Sequence, residues 1–316
     1  MANKAGMPIR IGRAVAAILL LLLTSWASPL AAEKFTIATY NLENYVDAPG
    51  GSRPVKSEAA RAKIRECIQA MKPDVLALQE IGSTNALQEL RSSLKSEGLD
   101  YAYWDLVSGF DTNIHVAVLS KFAIIARRPH TNDGFLLNGR HFRLTRGIAE
   151  LDLQATPRYS FTLLVAHLKS RRPVPEADEA DLREQEGLVL REKIDARLRA
   201  APNAHLVVVG DLNDVKDSKS TLAVIGKGKS ALIDTRPAEK NGDHLLSANP
   251  RFSPRNISWT HFYGKEDTYS RLDYILVSRE MARVWDPVGT YVLAAPDWGL
   301  ASDHRPIIAS FALEDR

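Results

Sequence analysis

The chain has 316 residues, of which 45% are hydrophobic, 25% are charged and 7% are aromatic. This composition is typical of a globular enzyme, and a chain of this length buries roughly three quarters of its unfolded surface, so it needs no cross-links for stability. The only cysteine, Cys67, excludes an intramolecular disulfide. It lies at helical spacing from Ile64, Ile68 and Met71, which predicts a small core residue.

Residues 1–32 have the order of regions found in a secretory signal peptide. A basic segment up to Arg13 contains no acid, the apolar run Ala14–Leu23 follows, and small residues lead to Ala31 and Ala32. The alternative is a membrane anchor, but the apolar run is well short of the roughly 20 residues that span a bilayer. We therefore expect cleavage after Ala32, a periplasmic or secreted protein, and no stable membrane anchor.

Cleavage would change the net charge, which is +3 for the whole chain. The chain has 41 basic and 38 acidic residues, and residues 1–32 hold three Lys or Arg and no acid, so residues 33–316 hold 38 of each. A global positive charge of the kind that marks nucleic-acid-binding domains is therefore absent. Any attraction for an anionic substrate must be local.

Residues 33–316 alternate short apolar runs with helical stretches, which predicts one α/β domain. Helices are predicted at Ser57–Met71, with Ser57 as N-cap, at Ala177–Arg199, and from Ser218 to near Gly226. The segment Lys227–Thr260, rich in Gly, Pro, Asn and charge, is interpreted as a surface excursion within the domain. The predicted strands are, in chain order, Phe35–Asn41, Val75–Gln79, His115–Leu119, Ile148–Leu153, Phe161–Ala166, Leu206–Val209, Leu272–Val277 and Pro306–Phe311.

Polar residues interrupt the apolar runs where predicted strands end or begin. Four strands end in such residues, and two more polar groups lie at the start of a strand. In α/β sheets, ligand sites gather outside the carboxyl ends of strands, so the first four groups are expected to converge on one pocket. The six groups are Asn41-Leu42-Glu43, Gln79-Glu80, His167-Leu168-Lys169-Ser170, Gly210-Asp211-Leu212-Asn213-Asp214, Arg271-Leu272-Asp273 and Ser302-Asp303-His304-Arg305-Pro306.

These residue types favour a site for a hard divalent cation. Carboxylate and amide oxygens suit Mg²⁺ or Mn²⁺, and none of the eight histidines has the spacing of a zinc cluster. Each residue also has a structural alternative, because an Asp or Asn after a strand is often a turn former or a helix cap. Asn41, Asp211 and Asn213 are open to that interpretation. Asp273 is open to a structural ion pair, and His261 is interpreted as a surface or packing residue.

Taken in order, the six groups resemble the motifs of the endonuclease/exonuclease/phosphatase superfamily. This superfamily includes deoxyribonuclease I, apurinic-site endonucleases, inositol-phosphate phosphatases and neutral sphingomyelinases. The resemblance covers about residues 35–312. It implies hydrolysis of phosphate esters by a four-layer α/β sandwich, in which two packed mixed β-sheets are flanked by helices. The implied cofactor is Mg²⁺, with Mn²⁺ as the alternative.

The resemblance also implies which residues hold the metal. Glu80 matches the principal metal ligand of the superfamily, and Asn41 matches a residue beside it. Glu43 matches a position where some nucleases carry a second acidic contact, and Asp303 matches another carboxylate on the metal side.

The catalytic residues that the resemblance implies are a separate set. Asp211 and Asn213 match residues that orient the attacking water and hold the phosphate. His304 matches a residue that contacts the scissile phosphate or transfers a proton, and Asp273 matches the carboxylate that fixes its tautomer. His167 matches a position on the phosphate or leaving-group side. A histidine oriented by a carboxylate is an effective proton donor near neutral pH.

Local positive charge is the best indication of the substrate. Lys169, Arg171 and Arg172 follow His167 and are predicted to bind phosphate, and the basic segment Arg140–Arg146 adds a second group. The alternative for both runs is a solvated loop face. We predict a monomeric nuclease with DNA or RNA as substrate. A phosphatase or phosphodiesterase of lipid or sugar phosphates is the alternative, and an inactive binding protein is disfavoured because every expected polar position is occupied.

Overall fold

The computed structural model describes residues 1–2, 33–50, 53–240 and 256–313. The chain divides into two units, Met1–Ala32 and Glu33–Arg316. The predicted signal peptide lies almost wholly outside the described residues. Within the described ranges, no helix is both long enough and apolar enough to cross a bilayer.

Four α-helices form in the described part of the chain, and each begins after a residue whose side chain accepts a hydrogen bond from the first turn. Such a cap contributes about 1 kcal/mol to helix stability. The cap of the first helix is Ser57, as predicted, and Cys67 is buried on it, also as predicted. The second helix was missed. The helices are α1 (Glu58–Met71), α2 (Thr84–Ser96), α3 (Glu179–Ala200) and α4 (Lys219–Ile225).

The strands include all eight that the apolar runs predict, with ends that differ by a few residues. They are β1 (Glu33–Tyr45), β2 (Val75–Ile81), β3 (Tyr103–Val107), β4 (His115–Ser120), β5 (Ala123–Arg127), β6 (Gly134–Leu137), β7 (Arg140–Arg143), β8 (Ala149–Thr156), β9 (Tyr159–His167), β10 (Leu206–Asp211), β11 (Ile233–Asp234), β12 (Ala238–Glu239), β13 (His261–Tyr263), β14 (Thr268–Ser270), β15 (Asp273–Val277), β16 (Trp285–Val292) and β17 (Ile307–Leu313).

Two mixed sheets organise these strands. One has seven strands in the order β12-β16-β17-β1-β2-β4-β3, and the other has six in the order β11-β15-β10-β9-β8-β5. Each sheet contains a central parallel pair, β1 with β2 and β9 with β10. Because the strands of a parallel pair end at the same edge, the polar residues that follow them are brought together in pairs.

Alternation along the strands produces the layers, because successive side chains of a strand face opposite sides of a sheet. Ile37 of β1 and Val209 of β10 belong to the core between the sheets. Tyr40 of β1 faces outward and packs in a second core with Ile64 of α1. Val208 of β10 belongs to a third core that includes residues of α3 and α4. The order helix–sheet–sheet–helix confirms the predicted four-layer α/β sandwich.

The segment Lys227–Thr260 differs from its prediction as a surface excursion. Its first part contains β11, which pairs with β15 in the six-stranded sheet. It then contains β12, which pairs with β16 in the seven-stranded sheet. The segment therefore adds an edge strand to each sheet. Two-residue strands give no alternating apolar pattern, so composition alone could not predict this pairing.

Candidate active site

The first part of the site lies where β1 and β2 end. The pairing of β1 with β2 shifts register beyond Asn41, and the pairing of β2 with β4 shifts at Glu80. Such bulges re-aim side chains. Glu80 also has a φ of +61°, which is uncommon for a residue with a side chain. Its carboxylate accepts hydrogen bonds from the Asn44 backbone N–H at 3.0 Å and from Asn41 Nδ2 at 3.4 Å.

The second part comes from the parallel pair of the other sheet. β9 ends in His167 and β10 in Asp211, and these two residues are paired across the strands. Gly210 has a φ of +133°, and a Cβ there would lie 1.9 Å from the carbonyl oxygen of Ala166. Only glycine fits this close approach. Beyond the strand, Asn213 has a φ of +54°, and its backbone N–H donates to Asp211 Oδ1 at 2.7 Å.

The third part is the Asp273–His304 pair. Asp273 opens β15 directly opposite Asp211. Its Oδ2 lies 2.8 Å from His304 Nδ1, and His304 Nε2 lies 3.7 Å from Asp211 Oδ2. The same Asp211 oxygen accepts a hydrogen bond from Asn41 Nδ2 at 3.0 Å. The Ser302 hydroxyl donates to the carbonyl of Asn41 at 2.8 Å and so joins the loop before β17 to the end of β1.

The charges of this cluster are coupled. Burial raises the pKa of Asp211 to about 6, with His304 opposing this shift and Asp273 adding to it. Burial would lower the pKa of His304, but the carboxylates of Asp273 and Asp211 raise it well above its usual value. Burial and the positive charge of Arg146 lower the pKa of His167 well below its usual value. The structure therefore favours a protonated His304 and a neutral His167 near pH 7.

The acidic side chains of the cluster suit a cation. Among the described residues, no Lys or Arg nitrogen lies within 4.0 Å of the carboxylates of Glu80, Asp211 or Asp303. The basic side chains within 4.0 Å of these carboxylates are histidines; His167 Nε2 lies 3.9 Å from Glu80 and 3.5 Å from Asp211. Oxygen donors gathered without a lysine or arginine fit a hard divalent cation.

Two further predicted metal ligands sit at the rim of this cluster. The Asp303 side chain is 41% exposed, and its Oδ1 lies 4.0 Å from His304 Nε2. The Glu43 carboxylate forms an ion pair with Lys56 at 3.3 Å. Burial is the main cause of the raised pKa of Glu43, and the negative charge of Asp303 adds to the rise. The two carboxylates therefore repel each other. A cation between them would relieve this repulsion.

The three predicted phosphate-binding residues lie in one loop after β9. The Lys169 ammonium donates to the carbonyls of Ser170 at 2.9 Å and Arg172 at 2.7 Å. These bonds close the loop, so the structure does not bring the Lys169 ammonium into the cluster. The guanidinium of Arg171 is exposed and bonds to Asp214 at 3.3 Å, and Arg172 is exposed. The two arginines remain phosphate-binding predictions.

His261 is a residue of the site that sequence reasoning missed. Its ring centroid lies 4.6 Å from that of His304, and its Nε2 lies 3.6 Å from Asp303 Oδ2. His261, Asp303 and His304 form one of two described groups with ligand atoms close enough to share a cation; the other is Asp211, Asp273 and His304. No motif or spacing in the sequence singles out His261, because its contact with His304 forms only when the chain folds.

Arg146 differs from the other arginines of the basic segment Arg140–Arg146, because it is buried near the site. Arg140 and Arg143 are exposed on the hairpin formed by β6 and β7. Arg146 is only 7% exposed, and its Nη1 donates to the carbonyl of Leu168 at 3.3 Å. Its buried Nε has no hydrogen-bond partner among the described residues. This guanidinium is therefore a buried positive charge beside His167; no carboxylate of the described residues lies within 4.0 Å of it, but it opposes the burial-driven rise in the pKa of Glu186.

Comparison with known proteins supports the same chemistry at the level of the family. A sequence model of the Endonuclease/Exonuclease/phosphatase family matches residues 38–304. The match spans every element from β1 to His304. A search of curated proteins finds no match to this chain.

Solved structures share the fold. The human Nocturnin catalytic domain with bound sulfate anion is 18% identical, with a TM-score of 0.61, and the alignment covers 89% of this chain and 95% of that one. Truncated TDP2 from Caenorhabditis elegans is 14% identical, with a TM-score of 0.57 and coverages of 88% and 97%. Sphingomyelinase C from Streptomyces griseocarneus is 17% identical, with a TM-score of 0.57 and coverages of 89% and 100%.

Proposed function

The chain belongs to the endonuclease/exonuclease/phosphatase family, and from this we propose that it is an exported, Mg²⁺-dependent phosphodiesterase that hydrolyses nucleic acid. One observation carries the proposal. Two buried carboxylates, Asp211 and Asp273, lie on either side of His304, and Glu80 and Asn41 lie next to Asp211. This arrangement provides a proton acceptor, a proton donor and a cation site within one cluster.

The proposed reaction begins with Asp211. Its ionised carboxylate receives a proton from the attacking water as the water oxygen bonds to phosphorus and the bond from phosphorus to the leaving oxygen breaks. The hydrogen bonds from Asn41 Nδ2 and the Asn213 backbone N–H hold the two carboxylate oxygens of Asp211 in place. With a pKa raised to about 6, Asp211 is still mostly ionised at neutral pH and is a stronger base than an ordinary aspartate. Asn213 Nδ2 donates to the carbonyl of Leu168 at 2.9 Å, and its second amide hydrogen would hold a phosphate oxygen beside Asp211.

His304 then acts on the phosphate. Because Asp273 accepts from Nδ1, the proton on Nε2 points toward Asp211 and the space where the phosphate would lie. The raised pKa keeps His304 protonated, so it donates a hydrogen bond to the developing negative charge. Neutral His167 borders the same space, with its Nε2 3.5 Å from Asp211 Oδ2, and the positive charge of Arg146 that acts on His167 favours an anion there.

Glu80 and Asp303 would hold the cation, with Glu43 and Asn41 beside them; Asn41 Oδ1 accepts a hydrogen bond from the Glu43 backbone N–H at 3.0 Å, and Asn41 Nδ2 donates to Glu80 and Asp211. When bound, a divalent cation supplies positive charge to the phosphoryl and leaving oxygens. The donor set favours Mg²⁺, with Mn²⁺ as the alternative, because carboxylate and amide oxygens predominate.

The substrate assignment depends on charge beyond the reacting centre. A small phosphate ester needs only the cation and one or two donors, whereas a polyanion can use Arg171 and Arg172 at neighbouring phosphates. The sulfate bound by the Nocturnin catalytic domain is a tetrahedral oxyanion, as a phosphodiester is. Sphingomyelinase C shares the fold, so a lipid phosphodiester is the second candidate substrate.

Export is proposed from the basic, apolar and small-residue regions of residues 1–32. N-terminal sequencing of the protein recovered from the periplasm or medium tests it. We expect the first residue to be Glu33, and a protein found only inside the cell with Met1 in place would contradict export.

Initial rates on DNA, RNA, an inositol phosphate and sphingomyelin micelles, at equal concentration with Mg²⁺, test the substrate. We expect the nucleic acids to react fastest. Their KM should rise with salt, because log affinity falls by about 0.7–0.9 per phosphate neutralised for each unit of log salt. Arg171→Ala with Arg172→Ala should flatten this dependence and leave kcat largely intact.

The matched control is Arg158→Ala, an exposed arginine in the turn that precedes β9, at the opposite end of this strand from His167. It should leave the salt dependence unchanged. Faster turnover of sphingomyelin or the inositol phosphate, or a KM for nucleic acid that does not respond to salt, would favour the alternative substrates.

A further inference from the structure

A short hairpin beside the reacting centre has no role in the proposed chemistry. It consists of β13 and β14, and its first residue, His261, forms a β-bridge with His304. The backbone N–H of Phe262 donates to the carbonyl of Asp303 at 3.0 Å, and that of Arg305 donates to the carbonyl of Thr260. The hairpin is therefore fixed by its backbone to the segment that carries His304.

One face of the hairpin carries a row of rings that leads away from His304. His261 and Tyr263 are two residues apart on β13 and so share a face. The centroid of the His261 ring lies 4.6 Å from that of His304, and the Tyr263 ring lies 6.4 Å from His261 with an angle of 21° between the planes. Tyr263 is 40% exposed. The row thus ends in a partly exposed ring whose plane is nearly parallel to that of its neighbour.

The opposite face holds the hairpin rigid. Phe262 packs on Tyr269 across the hairpin with centroids 4.7 Å apart, and Tyr269 packs on Trp259 at 4.8 Å. The guanidinium of Arg305 lies over the Trp259 ring at 3.7 Å, and Arg305 itself is 2% exposed. These contacts limit the motion of β13, so the exposed ring of Tyr263 loses little conformational freedom when a ligand binds it.

We infer that Tyr263 is a stacking site for a base of the nucleic acid whose phosphate is held at His304. This rests on the proposed function and identifies where the substrate extends beyond the reacting phosphate. Aromatic side chains stack on bases of any sequence, since every base has a π face. Inositol phosphates contain no aromatic ring, and the choline of sphingomyelin would contact an aromatic face by cation–π attraction rather than by parallel stacking. The nearly parallel planes of His261 and Tyr263 therefore favour a flat base.

The test compares two single-stranded oligonucleotides of the same sequence. One is intact, and the other has an abasic sugar in place of the nucleotide next to the scissile phosphate. On the intact oligonucleotide, Tyr263→Ala should raise KM about tenfold, within the range measured for base–aromatic stacking. Tyr263→Trp should keep KM close to the wild-type value. On the abasic oligonucleotide, wild type and Tyr263→Ala should have nearly the same KM.

The matched control is Tyr103→Ala, because Tyr103 is also 40% exposed but lies on β3, at the edge of the seven-stranded sheet. It should leave KM unchanged on both oligonucleotides. Equal effects of Tyr263→Ala on the intact and abasic substrates would overturn the inference while nucleic-acid cleavage stands. If neither oligonucleotide is cleaved, the proposed function fails first. Loss of binding to phosphatidylcholine vesicles in Tyr263→Ala, with no change in oligonucleotide KM, would assign the ring to a lipid surface instead.

Discussion

His304 owes its chemistry to the carboxylates around it. A buried histidine normally favours its neutral form, but Asp273 at 2.8 Å and Asp211 at 3.7 Å raise the pKa of His304 well above its usual value. His167, equally buried, lies beside Arg146, and its pKa is lowered. Two histidines of one cluster are thus driven to opposite protonation states, which separates a proton donor from a neutral ring.

If His304 is the proton donor and Asp273 keeps it protonated, substitutions of the two residues should lower kcat by different amounts. His304→Ala should reduce kcat by at least about a hundredfold, the usual scale for a positioned acid–base group. Asp273→Asn should reduce it less, because His304 keeps its place but loses the charge that holds it protonated. The double variant should be no slower than His304→Ala alone, since residues that act as a unit are not additive. Rates of all four proteins at saturating substrate measure this, and losses that multiply would show that Asp273 acts elsewhere.

Individual residues were predicted to different depths. Asp211, Asp273 and His304 were predicted because they lie in motifs that resemble those of the superfamily, and the structure brings the three side chains together. Lys169 was predicted to bind phosphate from its position in a basic run, but its ammonium is bonded to two backbone carbonyls. His261 was interpreted as a surface or packing residue, and its contact with His304 was not foreseen. Charge runs do not show which atoms a side chain contacts, and that information comes only from the folded backbone.

Strand ends determine where the site lies. The central parallel pairs, β1–β2 and β9–β10, each end in polar residues, and β10 reaches the site through Gly210, which approaches the carbonyl of Ala166. Bulges near Asn41 and Glu80 turn these side chains out of the regular alternation. Local backbone conformations that are costly elsewhere are therefore concentrated where the chemistry is proposed.

Gly210→Ala should destabilise the protein strongly. The new Cβ would lie 1.9 Å from the Ala166 carbonyl oxygen at a φ of +133°, so β9 and β10 would have to separate. We expect a loss of more than about 3 kcal/mol, near the upper end for point mutants, and a Tm lower by roughly 6 °C or more. Thermal unfolding measures it. Gly299→Ala is the control, because nothing lies within 4 Å of its added Cβ; equal Tm values for the two variants would contradict the close approach.

The elements themselves were predictable where apolar patterns are long. All eight predicted strands exist, and α1 and α3 begin within two residues of their predicted starts. α2 was missed although Ser83 caps it and Leu87, Leu90 and Leu94 are buried on one face. The hairpin β13–β14 was also missed, because strands of three residues give no measurable period. That miss matters most, since the hairpin carries His261 and Tyr263.

The two sheets contribute jointly to one cluster. Asn41 and Glu80 come from the seven-stranded sheet, and His167, Asp211 and Asp273 come from the six-stranded sheet. The hydrogen bond between Asn41 and Asp211 therefore joins the sheets at this edge. Formation of the site depends on the packing of the whole sandwich, which explains why only the ordered set of motifs, and no single one, identified it in the sequence.

Charge at the scale of the protein is balanced, with 38 basic and 38 acidic residues in residues 33–316. Affinity for a polyanion must then come from local charge, at the site and in the adjacent loop that carries Arg171 and Arg172. The carboxylates of Glu80, Asp211 and Asp303 would repel a phosphate unless a cation lies between them, since no Lys or Arg of the described residues is within 4.0 Å of these groups. Metal dependence is therefore the property on which the proposed function depends most.

The most direct measurement is the initial rate of nucleic-acid hydrolysis by the purified protein, with Mg²⁺ and with EDTA, for wild type and Glu80→Gln. We predict cleavage with Mg²⁺ and none with EDTA. Glu80→Gln keeps the shape of the side chain but removes its charge, so the rate should fall at least about a hundredfold, with only partial recovery in excess Mg²⁺ and an unchanged Tm. Undiminished cleavage in EDTA, or a wild-type rate for Glu80→Gln, would contradict metal dependence with Glu80 as a ligand.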